Sequence, residues 1–167
     1  MIYDERLDRE LAGFGDMASR APAGDVIYLP GIATPINRDT PIHAEKAPNF
    51  TWYEATHGFT RIPDKIGTVF NIIKVAKILQ EIRDHIGEPL FITSWYRTPY
   101  WNDLCGGAID SRHLHGDGVD FYANSYNYKQ MYDLASSIVG DRGGVGKYRN
   151  NTITHIDARG YRARWYS

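Results

Sequence analysis

Two imidazoles and a carboxylate are the residues of this chain best suited to chemistry. His113 and Asp120 lie in Ser111-Arg112-His113-Leu114-His115-Gly116-Asp117-Gly118-Val119-Asp120, and His155 lies in Thr154-His155-Ile156-Asp157. Asp120 sits between Val119 and Phe121 in a short apolar run that reads as a strand. Neighbours on a strand point to opposite faces, so with Val119 and Phe121 in the core Asp120 looks the other way. A carboxylate in the middle of a sheet is costly unless it is paired or metal-bound. Gly116 and Gly118 let the chain turn sharply between His113 and Asp120, so the two can share one ion. His155 reaches the same place from its own strand, with Asp157 on the same face. Two His and one carboxylate with a fourth position open form a catalytic zinc set. Such an ion lowers the pKa of a bound water to roughly 7 and polarises a carbonyl. A His and an Asp at this spacing occur by chance in many chains; the glycines, Ser111 and the later His-x-Asp make the pattern specific.

These side chains need a scaffold, and the pattern predicts one of the α+β class. Residues 90–94 and 118–122 read as strands, as do 144–148, 152–157 and 162–165. Residues 128–139 read as a helix with Met131, Leu134, Ala135 and Ile138 on one face and Asn127 as its cap. A longer helix opens at Pro63-Asp64. Its stripe is Ile66, Val69, Phe70, Ile73, Ala76, Leu79, Ile82 and Ile86, and it stops at Gly87 before Pro89. Thr51 with Glu54 fits a capping box for a short helix. The expected architecture is a small antiparallel sheet with helices packed on one face and the metal on the other. Residues 1–47 read as an irregular leader packed on the domain, with a short helix within 3–21 (Leu7, Leu11 and Phe14 on one face). A strand at 25–29 and a proline-punctuated extended loop at 34–48 follow. Residues 48–167 form the functional domain.

Composition narrows the partners. The chain has 167 residues and a net charge of −1, so bulk electrostatics recruit neither nucleic acid nor an anionic membrane. No run approaches the ~20 apolar residues of a membrane span. The start, Met1-Ile2-Tyr3-Asp4-Glu5-Arg6, is charged and lacks the apolar core of a signal peptide. With Cys105 as the single cysteine, no intrachain disulfide forms, and nothing around it marks a nucleophile. His43, His57 and His85 lack carboxylate partners at motif spacing and read as structural or surface residues.

Against these residues a family resemblance appears. Ser111, His113, Gly116 and Asp120 fall in register on the Ser-x-His-x-x-Gly-x-Ala-x-Asp signature of the D-alanyl-D-alanine metallopeptidases, with Gly118 in the Ala position. Ser94-Trp95-Tyr96-Arg97-Thr98-Pro99 resembles that family's Ser-x-Tyr-Arg-[Ser/Thr]-Pro motif. Residues 143–148, then 154–157 and Arg164-Trp165, resemble its carboxypeptidase and murein endopeptidase branch. The resemblance covers residues 48–167 and implies a fold shared with lysostaphin and the hedgehog signalling domain. It implies one Zn2+ on His113, Asp120 and His155, and hydrolysis of peptide bonds in peptidoglycan stem peptides or cross-bridges. Arg97 would contact the substrate carbonyl or terminal carboxylate, for which a planar fork is suited. Ser111 would brace the metal loop, and Tyr148 is expected with them on the substrate side. Many members place an acid three residues before the last zinc His; here that residue is Thr152, which cannot serve. Asp157 is the candidate in its stead, either activating the water or orienting a ligand His. His115 is the second candidate, as oxyanion stabiliser or proton shuttle. A monomer acting in the periplasm or cell wall, or as a phage-released lysin, is expected. The rival reading is a non-catalytic zinc-containing module that binds cell-wall peptide.

Overall fold

The computed structural model describes residues 25–148 and 152–166. The expected helix within residues 3–21 lies outside the described residues.

Two sheets and a set of helices share one core. A hairpin of β1 (Pro41–His43) and β2 (Ala47–Thr51) leads into α1 (Trp52–Ala55) and the long α2 (Ile66–Ile86). The chain then runs β3 (Phe91–Ser94), α3 (Pro99–Leu104), α4 (Arg112–His115), β4 (Gly118–Tyr122) and α5 (Tyr128–Val139). A 3-10 turn follows, and then β5 (Gly144–Lys147), β6 (Thr154–Asp157) and β7 (Ala163–Tyr166). The larger sheet has the order β3-β4-β6-β5-β7. Its first three pairings are antiparallel, as expected, but β7 runs parallel to β5. The chain leaves β6 at the edge where β5 already lies, and the turn after Asp157 carries it around to the outer side of β5.

Local chemistry explains most boundaries. Thr51 caps α1 with the expected capping box, its hydroxyl accepting from the Glu54 N–H while the Glu54 carboxylate accepts from the Thr51 N–H. Asn127 and Gln130 do the same for α5. Gly87 closes α2 at φ 69°, a left-handed conformation natural to glycine. Two details of the expected leader differ. Residues 25–29 pair only through an isolated Ile27–Ile36 bridge, and the segment expected as extended loop holds β1 and the start of β2. Leu29, Ile36, Ile42 and Ala47 are buried in the common core, so this part of the chain completes it.

One face of the sheet carries that core. Val119, Phe121, Val145 and Ile156 are fully buried against α2 (Val69, Ile72, Ala76, Leu79) and α5 (Met131, Ala135, Val139). Each such side chain contributes roughly 1.5–3 kcal/mol by burial. The expected stripe on α2 is rotated: Ile66 and Phe70 are exposed, and Ile72, Val75 and Ile78 take the inward positions. The alternation of the strands leaves Asp120, His155, Gly146 and Trp165 on the opposite face, in register across β4, β6, β5 and β7.

Candidate metal centre

Strand register brings the acid and the last imidazole together. Asp120 on β4 is the direct partner of His155 on β6, and their side chains project to the same side. His155 Nδ1 lies 2.8 Å from Asp120 Oδ1. His113 arrives from α4, which sits over the start of β4, and its Nε2 lies 3.1 Å from Asp120 Oδ2. One ligand atom from each of the three falls within 4.8 Å of the others, and all three residues are buried. The Asp120 Oδ2 atom accepts no hydrogen bond among the described residues. A buried carboxylate oxygen beside the His113 imidazole without a hydrogen bond of its own is suited to donate to a shared cation. The residues therefore fit a single divalent ion held by two nitrogens and one oxygen.

The segment before α3 builds the loop that carries His113. The Trp95 carbonyl accepts from His113 Nδ1 at 2.7 Å, which fixes the tautomer and turns Nε2 toward Asp120. The Trp95 indole N–H donates to the Gly116 carbonyl, and the Arg97 N–H donates to the His113 carbonyl. Ser111 caps α4, its hydroxyl accepting from the His113 N–H. Gly116 takes φ 85° at the end of that turn and packs against Thr68 of α2, where a Cβ would lie 2.9 Å from the Thr68 carbonyl oxygen. Arg112 grips the buried Asp117 through Nε and Nη2, closing the loop from the other side.

The electrostatics follow from burial among opposite charges. Burial lowers the His113 pKa, and the nearby Arg97 lowers it further, which favours the neutral imidazole. Burial alone would raise the Asp120 carboxyl, but His113 and the hydrogen bond from His155 hold it well below the usual carboxylate range. Burial would likewise lower His155; its hydrogen bonds to Asp120 and Asp157 outweigh that and push it up to about 9. The imidazolium so formed bridges two carboxylates; a metal held by His155 would replace one of its protons.

Asp157 is fully buried on the far side of the His155 ring, with Oδ2 3.0 Å from Nε2. Its remaining lone pairs accept from the Gly144 N–H and from Arg159, whose Nε and Nη2 bind Oδ1 and Oδ2 at 2.8 and 2.7 Å. Arg97 is buried, with Nε donating to the Ser94 hydroxyl and Nη2 3.8 Å from Asp120 Oδ2. A cleft of about 210 Å³ is lined by His113 and His155, with Arg97, Ser111, Tyr148, Arg159 and Trp165 also in its walls. His115 does not line it; its half-exposed ring is tied to Asp110 at 2.9 Å, and only Asp110 reaches the cleft. Thr152 is exposed.

Two participants escaped the sequence reading. Arg159 follows Asp157 by two residues, and an Asp-x-Arg pair at a strand end is the signal that could have found it. Trp165 is the second. It lies 5.3 Å from the His155 ring, centroid to centroid, over Gly146, where a Cβ would come within 2.5 Å of the indole. Without that glycine the indole could not lie flat against the sheet and reach the imidazole.

No curated protein matches the chain. The Peptidase M15 family model matches residues 47–157, a span that holds all three convergent side chains, the Trp95 and Arg97 segment, and the strands that set the register. That match covers well over half of the sequence, so the chain belongs to the M15 family of D-Ala-D-Ala metallopeptidases, whose members are metal-dependent.

Proposed function

We propose that this protein is a zinc peptidase that hydrolyses peptide bonds in peptidoglycan stem peptides or cross-bridges, of the D-Ala-D-Ala carboxypeptidase or endopeptidase type. The carrying observation is the convergence of His113 Nε2, Asp120 and His155 Nδ1 under an open cleft with Arg97 in its wall. Those three residues would hold one Zn2+, which when bound supplies an activated water and polarises the scissile carbonyl. Arg97 holds the substrate's carbonyl or terminal carboxylate and stabilises developing charge there. Burial in the protein and the Ser94 hydroxyl restrict its fork to few orientations, which favours recognition of a fixed oxyanion position. Ser111 keeps the His113 loop in place, and Tyr148 forms part of the substrate wall.

Of the two roles open to Asp157, orientation of His155 is the one its surroundings support. Its oxygens are occupied by His155, Arg159 and Gly144, so it has no lone pair to offer a water over the cleft. The position of His115 outside the cleft argues against a direct proton-transfer role. Action at the cell wall or periplasm fits the substrate; no helix among the described residues is long and apolar enough to cross a membrane.

One observation favours a second reading, a zinc-containing module that binds cell-wall peptide without cutting it. Thr152 stands where an acid is expected, and Asp157 is fully engaged. Incubation of the zinc-loaded protein with purified peptidoglycan and with a D-Ala-D-Ala peptide, read by mass spectrometry, separates the two. Released peptide that disappears with chelator and in Asp120→Ala supports hydrolysis. Peptide binding that survives chelation with no product supports the binding module.

A further inference from the structure

Arg159 is the most completely held side chain around the centre that no step above uses. Its Nε and Nη2 form a two-pronged grip on Asp157, and its backbone N–H also donates to Oδ1 at 3.3 Å. Its guanidinium lies over the Trp165 ring at 5.1 Å and over the Tyr161 ring at 5.6 Å. Trp165 in turn lies against His155. The same imidazole is thus approached along two lines that both lead back to Arg159, one through the carboxylate on Nε2 and one through the indole on its face. A carboxylate on a strand end can swing about two side-chain bonds; a planar fork on both of its oxygens removes that freedom.

We propose that Arg159 is a positioning residue of the metal centre, fixing the ring angle and tautomer of His155 through Asp157. This rests on His155 being a ligand. With Asp157 locked, the His155 Nε2–H has one acceptor in one place, and Nδ1 is turned toward Asp120 and His113. With Asp157 released, the ring can tilt and its donor atom leaves the coordination point. Groups in this outer position typically change metal affinity about 10–100-fold.

The test measures zinc affinity by competition with a chromogenic chelator, together with the visible absorption bands of the cobalt-loaded protein. Wild type, Arg159→Gln, Arg159→Lys, His155→Ala and Arg162→Gln are compared. Arg162 is a control on the same turn, mostly exposed and 3.9 Å from Asp141. Folding of each metal-free variant is checked by circular dichroism. The expected result is a 10–100-fold weaker zinc affinity and altered cobalt bands for Arg159→Gln, an intermediate loss for Arg159→Lys, and no change for Arg162→Gln. A folded Arg159→Gln with wild-type affinity and wild-type cobalt bands overturns the proposal. Should Arg159→Gln fail to fold, Arg159→Lys decides, weakened affinity supporting the role and wild-type affinity overturning it. Wild type without zinc binding, or His155→Ala binding as tightly as wild type, would instead overturn the ligand assignment itself.

Discussion

Replacing Gly118 by alanine tests how tightly the His113 turn is seated on β4. The family signature carries alanine at this position, so the substitution looks innocuous by sequence. The structure says otherwise. A Cβ built on Gly118 would stand 2.8 Å from the Arg112 carbonyl carbon and 2.9 Å from the His113 nitrogen. Ordinary contact begins at 3.4 Å, so the turn must lift by about 0.6 Å. The opposing atoms are backbone, which cannot rotate away as a side-chain tip does. The turn is also tied by the His113–Trp95 and Arg112–Asp117 bonds, so it moves with strain. Coordination distances are held to about ±0.2 Å, and a 0.6 Å displacement of His113 exceeds that by a factor of about three. Overpacking costs about 1–3 kcal/mol, offset by about 0.4–1 kcal/mol from the stiffer unfolded chain. Gly118→Ala should therefore lose about 1–2 kcal/mol of stability in urea unfolding and at least about tenfold in zinc affinity by chelator competition. Wild-type values for both would show that the turn is not seated as described, and the account of the His113 position would fail.

Other perturbations separate the roles around the centre. Dialysis against a strong chelator should abolish hydrolysis and lower the melting temperature, with both restored by zinc, because a ligand bound only to the folded state stabilises it by mass action; a melting temperature indifferent to zinc counts against the site. Arg97→Lys should keep zinc affinity within about twofold while kcat/KM falls at least about tenfold, since a point charge replaces the fork; equal loss of metal would make Arg97 structural. His115→Gln should retain activity within about twofold, because its ring is tied to Asp110 and does not itself line the cleft; a hundredfold loss would return it to the chemistry. Asp117→Ala removes the partner of Arg112 from a buried position and should cost about 1–3 kcal/mol in urea unfolding; a neutral result would mean the pair does not hold the loop.

Much of this centre was legible because its signals are local. His113 and Asp120 are joined by a turn whose glycines have backbone jobs, and the motif around Arg97 repeats the same lesson. Ser94 receives the Arg97 side chain, Trp95 holds the His113 ring, Thr98 caps α3 and Pro99 begins it. Capping boxes and the Gly87 stop were equally readable, since each is decided within a few residues. The face of α2 was harder. Its apolar residues cover more than one side, and only contact with the sheet decided that Ile72 and Val75 go inward while Phe70 stays in water.

By itself the sequence determined which atoms could bind a cation, two imidazoles and one acid, and which short turns and caps surround them. Tertiary structure decided which of the nearby groups act with them. Along the chain Asp157 is the first candidate for the base and His115 the second, and nothing local decides between them. Strand pairing put Asp157 behind the His155 ring with Arg159 closed over it, and the end of α4 turned His115 toward Asp110. The parallel placement of β7, which brings Trp165 over Gly146 to His155, was equally invisible in the sequence. The reason is physical: ligand type and backbone turns are properties of neighbouring residues, whereas a lone pair's availability depends on every group that folding brings against it.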